Sequence, residues 1–181
     1  MKNKAVFFDR DGIINRRIVG EYVAEPDEFI LNPEIPEILK YLKKQSFLII
    51  LITNQQGVDK GIMSLSELEI VHNFMQKLLQ EKSGVIFDEI YYCTDLADTN
   101  SFYRKPNPGM LLDAIKKWDI DPSKSIMIGD SDSDVIAGKK AGTATILVNN
   151  EQSNANADFH IDNLSVLKSL LTQIIGRSAN A

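Results

Sequence analysis

Short runs of nearly continuous apolar residues recur along the chain: AVFF at 5–8, FLIILI at 47–52, EIYY at 89–92, SIMI at 125–128 and TILV at 145–148. A strand with one wet face alternates apolar and polar residues, so an unbroken run such as FLIILI is expected to be buried on both faces. Segments of helical periodicity follow these runs, at 36–44, 65–82, 108–118 and 133–141, with a last one at 165–175. The second has Ser64 three residues before Glu67, a capping box, and then an apolar stripe of Leu68, Val71, His72, Met75 and Leu78. The third starts at Asn107 as N-cap with Pro108 in the first helical position, and the last turns Leu167, Leu170, Leu171 and Ile174 inward. Strands alternating with helices specify an α/β fold: a doubly wound, Rossmann-like parallel sheet with helices on both faces.

Such a sheet binds its ligands beyond the carboxyl ends of the strands. The chain concentrates its chemistry there. The first run leads into Asp9-Arg10-Asp11-Gly12, the second into Thr53-Asn54-Gln55, and the fourth into Gly129-Asp130 with Asp134 four residues on. Arg104-Lys105 precedes the third helix. Acids, a hydroxyl and a lysine therefore converge on one edge of the sheet. Two carboxylates at the end of a buried strand repel each other and lose hydration, a cost that some feature of the site must offset.

Composition narrows which cations and which partners. The net charge of −5 offers no electrostatic footprint for nucleic acid or an anionic membrane, and a small anionic substrate would need local cationic help. One cysteine and two histidines exclude an internal disulfide and leave too few ligands for a structural zinc site. Any metal is then held by oxygen, as magnesium prefers. No apolar run approaches the ~20 residues of a membrane span. The start, MKNKAVFFDRDG, is too short and too soon charged for a signal peptide, so the cytoplasm is the expected compartment. The length suits a single domain over 1–175 with a disordered tail at 176–181, as a monomer or small homo-oligomer.

In order along the chain, FFDRDGIIN, ITNQQGVDKG, RKPNPGM and IMIGDSDSD resemble the motifs of the haloacid dehalogenase-like (HAD) phosphohydrolases, and the resemblance covers almost the whole sequence. The first three are similar to the branch that holds heptose-bisphosphate and histidinol-phosphate phosphatases. The resemblance implies a magnesium-dependent phosphomonoesterase acting on a small sugar phosphate through an aspartyl-phosphate. Heptose bisphosphate is the expected substrate and histidinol phosphate the alternative. It makes Asp9 the nucleophile and Asp11 the general acid/base. The side chains of Asp9 and Asp130 and the backbone carbonyl of Asp11 would hold the metal, with Asp134 behind them. Thr53 would bind a phosphate oxygen, and Arg10, Asn54, Gln55 and Arg104 would face the substrate. Lys105, kept extended by Pro106, would neutralise the nucleophile and the transferring group.

Zinc-containing members of that branch carry a Cys-x-His…Cys-x-Cys loop before the Arg-Lys pair. Here YYCTDLADTNSFYRKP keeps Cys93, has Asp95 in place of the histidine and lacks the later cysteines. A shortened loop without zinc is expected, with Cys93 as a small buried group. Neither 15–33 nor 54–103 leaves room for a lid domain, so the site is expected to be uncapped, with selectivity set by its loops. Arg16 and Arg17 read as solvated and His72 as a core histidine. A receiver-type signalling module also pairs acids after its first strand with a later Thr and Lys. It phosphorylates an aspartate after the third strand, however, where this chain has Cys93, Thr94 and only then Asp95. A non-catalytic phosphosugar-binding relative would not need the full set of five central residues.

Overall fold

The computed structural model describes residues 2–18, 20–149 and 153–178, with 177 and 178 described by backbone alone. Among these residues six strands form one all-parallel sheet: β1 (Ala5–Phe8), β2 (Leu48–Asn54), β3 (Glu89–Cys93), β4 (Ile126–Gly129), β5 (Ala144–Val148) and β6 (Phe159–Ile161). Their order is β3-β2-β1-β4-β5-β6, so β1 is central and the chain crosses it between β3 and β4. The helices are α1 (Ile35–Lys44), α2 (Leu65–Ser83), α3 (Gly109–Lys117), α4 (Asp132–Ala141) and α5 (Leu167–Ser178).

The central strands are buried on both faces, and their alternation divides the core in two. Val6 and Phe8 of β1, Ile49 and Leu51 of β2 and Ile128 of β4 pack under α1, α2 and α5. Ala5, Phe7, Ile50, Ile52 and Met127 point the other way, toward α3 and α4. Phe7 and Phe8 are wholly inaccessible to solvent. Burying each side chain of that size contributes about 1.5–3 kcal/mol, so the strand that carries Asp9 lies in the most strongly held part of the fold.

The elements follow the sequence closely, with differences that have local causes. Ser64 and Glu67 exchange both bonds of a capping box at the start of α2. Leu79 rather than Leu78 completes the buried stripe, and Leu78 packs at its edge. In α5 Leu167, Leu171 and Ile175 are buried, with Leu170 and Ile174 beside them. The N-cap of α3 is Pro108, not Asn107, whose amide instead donates to Ser101 O at 2.9 Å and braces the preceding loop. The sequence does not announce β6, a three-residue edge strand of which one residue is exposed and two are half-buried. Helix α5 runs to Ser178, past the expected boundary at 175, and 179–181 of the expected tail lie outside the described residues.

Candidate active site

Beyond the carboxyl ends of β1 and β4 the connections diverge to opposite sides, which opens a crevice between two adjacent loops. Asp9 stands there because its N–H donates to Ile128 O at 2.9 Å and extends the β1–β4 ladder by one residue. Asp130 follows Gly129 at the end of β4. Two glycines let the acids approach. A Cβ on Gly12, whose φ is +97°, would lie 2.0 Å from Asp130 Oδ2. One on Gly129 would lie 2.2 Å from Asp134 Cβ.

Lys105 reaches this floor from the loop before α3. Its Nζ donates to Asp9 Oδ1 at 2.7 Å and to Ile52 O at 2.8 Å. It also lies 2.6 Å from Asp134 Oδ1, as an ionic contact off the hydrogen-bonding direction. Asn54 fixes the backbone behind it: Asn54 Nδ2 donates to Lys105 O at 3.0 Å and Lys105 N donates to Asn54 Oδ1 at 3.1 Å. Burial works against the lysine's charge, yet Asp134 and Asp9 overcome it and hold the proton more tightly than usual. Asp134 is committed on its other oxygen too, which accepts from Ser131 N at 3.1 Å and Ser131 Oγ at 2.7 Å in the capping box of α4.

Asp11 has a different surrounding. Arg10 Nη2 donates to Asp11 Oδ2 at 2.9 Å, Asn15 Nδ2 to Oδ1 at 2.9 Å and Gln55 Nε2 to Oδ2 at 2.9 Å. Burial alone would raise the pKa of this carboxyl, but Arg10, Asn15 and Gln55 together bring it below the ordinary value. Arg10 and Gln55, expected to face the substrate, are both fully buried here and give their polar ends to Asp11. Arg10 also meets His72 Nε2 at 3.3 Å, and Gln55 donates to Thr53 Oγ1 at 2.9 Å, so the Thr53 hydroxyl retains its own proton to give. His72 is buried as expected, and burial and the Arg10 charge push its pKa down to about 3. It is therefore a neutral acceptor that orients Arg10. Asn15 went unnoticed in the sequence, although it lies four residues after Asp11 in the same stretch.

Asp9, Asp130 and Asp134 each offer an oxygen within 4.8 Å of the others, a group that could hold a metal ion. The donor set fits a hard cation. Burial pushes the Asp9 carboxyl up to about 7; Lys105 opposes the shift, and Asp134, Asp130 and Asp11 add to it. Burial, with Asp134, pushes Asp130 up to about 6 against Arg17 and Lys105. Protein cations thus leave the acids under-neutralised, and further positive charge would hold them ionised. Because Asp134 spends both oxygens on Lys105 and Ser131, Asp9 and Asp130 are the better-placed ligands.

These groups line a cleft of about 540 Å³ whose walls carry Arg17, Tyr22, Lys60 and Arg104. Arg104 lines it too and donates to Asp95 O at 2.9 Å. Arg17 is exposed, as expected, and also donates to Asp130 Oδ2 at 3.2 Å. Lys60 donates to the Tyr22 hydroxyl at 3.1 Å. Cys93 is buried at the end of β3 with its thiol 3.4 Å from Asp95 Oδ2.

A Rossmann-like sheet with an acid pair after β1 and a lysine and a further acid at the same edge defines a class, and the comparisons agree. The HAD-hydrolase-like family model matches residues 102–171. A Helicobacter pylori D-glycero-beta-D-manno-heptose-1,7-bisphosphate 7-phosphatase is 40% identical over 77% of this chain and 79% of its own. The chain belongs to the HAD-like phosphohydrolases. A Pasteurella multocida protein of the same name is 37% identical over 93% of this chain and 96% of its own. Among solved structures, a D,D-heptose 1,7-bisphosphate phosphatase from B. bronchiseptica complexed with magnesium and phosphate superposes with a TM-score of 0.83. That match has 28% identity and covers 94% of this chain and 99% of the other.

Proposed function

We propose that the chain is a magnesium-dependent, zinc-free cytoplasmic phosphatase, a single uncapped domain, that removes the 7-phosphate of D-glycero-D-manno-heptose 1,7-bisphosphate. The observation that carries this reading is Lys105 Nζ held between Asp9 and Asp134 at the floor of an open cleft. The substrate assignment is supported by the two relatives of that name, which match over most of their length.

Asp9 attacks phosphorus as its carboxylate, forming the acyl-phosphate bond as the bond to the sugar oxygen breaks. Asp11 gives its proton to the leaving alkoxide. It then takes a proton from water, whose oxygen attacks phosphorus, releases phosphate and restores the Asp9 carboxylate. Asp11 is held as a base by Arg10, Asn15 and Gln55; the negative phosphate placed beside it opposes that hold and favours the protonated form needed first. Lys105 opposes the protonation of Asp9 that burial favours and offsets the charge of the transferring group. Thr53 donates to a phosphate oxygen, and Arg104 and Lys60 on the cleft wall meet the remainder of the substrate. Magnesium, held by the side chains of Asp9 and Asp130 and the Asp11 carbonyl, would supply charge stabilisation to the phosphoryl oxygens.

The test is phosphate release across sugar mono- and bisphosphates, including both heptose anomers and histidinol phosphate. The heptose bisphosphate is expected to turn over fastest. If it were no better than p-nitrophenyl phosphate, the substrate assignment would fall and the phosphatase class would stand.

A further inference from the structure

Arg17 lies on the coil between β1 and α1, at the mouth of the cleft. Its one bond among the described residues is the 3.2 Å contact to Asp130 Oδ2, made across 113 positions of sequence. The other cations of the cleft wall are tied elsewhere, Arg104 to Asp95 O and Lys60 to the Tyr22 hydroxyl. The Arg17 side chain is 62% exposed, whereas that of Asp130 is 14% exposed.

An exposed arginine held through a single donor makes a weak, replaceable ion pair. A structural arginine in this fold is built differently: Arg10 is fully buried and gives Asp11 three bonds. The partner of Arg17 is moreover one of the two acids best placed for a metal. A guanidinium and a divalent ion on the same small carboxylate would repel each other at close range.

We propose that Arg17 is a placeholder for the divalent cation: it neutralises Asp130 in the metal-free enzyme and gives up that carboxylate when the ion binds. The inference rests on Asp9 and Asp130 being the metal's side-chain ligands. Its consequence is that Arg17 lowers the affinity for magnesium, and that metal loading frees the coil carrying Ile18 and Tyr22, which forms one cleft wall.

Magnesium titration by calorimetry tests this with the wild type, Arg17→Met, Arg16→Met and Asp130→Asn. Arg16 is the control, since it carries the same charge on the same exposed coil without touching Asp130. Arg17→Met is expected to bind magnesium about three- to fivefold more tightly, the worth of a weak ion pair, with Arg16→Met within about twofold of wild type. The Arg17 Nε–H resonance is expected to shift along the same binding curve. An unchanged or weaker affinity in Arg17→Met, an equal gain in both variants, or a static resonance would overturn the placeholder role and leave the metal site standing. A wild type that binds no magnesium, or an Asp130→Asn variant that binds as the wild type does, would overturn the metal site and this inference with it.

Discussion

Lys105 Nζ donates to Asp9 Oδ1 at 2.7 Å, joining two buried residues 96 positions apart in the chain. The bond fixes Asp9, the proposed nucleophile, and supplies most of its nearby positive charge. Lys105→Met would leave Asp9 and Asp134 buried without that cation. Breaking a buried pair from one side costs about 3–5 kcal/mol, so the variant should melt well below wild type and lose activity about a thousandfold. Asp9→Asn/Lys105→Met should be more stable than Lys105→Met alone, because one stranded charge is removed. Thermal melts of the three proteins check the order.

Asp9→Asn should abolish turnover, since no carboxylate remains to form the acyl-phosphate. Asp11→Asn should slow both half-reactions and let a base-labile phosphoryl-enzyme persist in acid-quenched samples. Wild-type turnover in Asp11→Asn would remove its acid/base role.

The neutral state of His72 makes stability depend on pH. Its pKa falls to about 3 in the fold from the ordinary 6.5. Below pH 6.5 the unfolded chain binds a proton that the folded one refuses. This contribution is therefore fully present above pH 6.5 and is lost as pH falls toward 3. The loss from pH 7 to pH 5 is about 2 kcal/mol. His72→Gln, which keeps an acceptor for Arg10 but does not titrate, should flatten that part of the profile in urea unfolding.

Gly12→Ala should cripple the site. The backbone there has φ +97°, and a Cβ would fall 2.0 Å from Asp130 Oδ2. Conformational strain adds about 1–2 kcal/mol, and Asp130 must move. Magnesium affinity and kcat should both drop at least about tenfold, while Gly61→Ala, at a similar φ in open space, should leave both within about twofold.

The parts of this site that were legible in the sequence are those tied to strand ends. FLIILI and VFFDRDG read as buried strands that stop at polar residues, and that pattern alone puts Asp9, Asp11, Thr53 and Asp130 at one edge of the sheet. Which way each side chain then turns is decided by packing. Arg10 and Gln55 point inward because Asp11 offers them an acceptor and His72 and Thr53 lie behind it. The Arg17–Asp130 contact was invisible for another reason: it joins a coil without periodicity to a loop over a hundred residues away. Strand β6 is not legible because three residues, one exposed and two half-buried, carry too little apolar pattern.

The most direct measurement of the central claim is phosphate release by the chelated enzyme from heptose 1,7-bisphosphate, before and after magnesium is returned. Chelation should reduce the rate by at least about a hundredfold, the scale of one lost electrostatic stabiliser, and added magnesium should restore it. Full activity in the chelated protein would contradict the account.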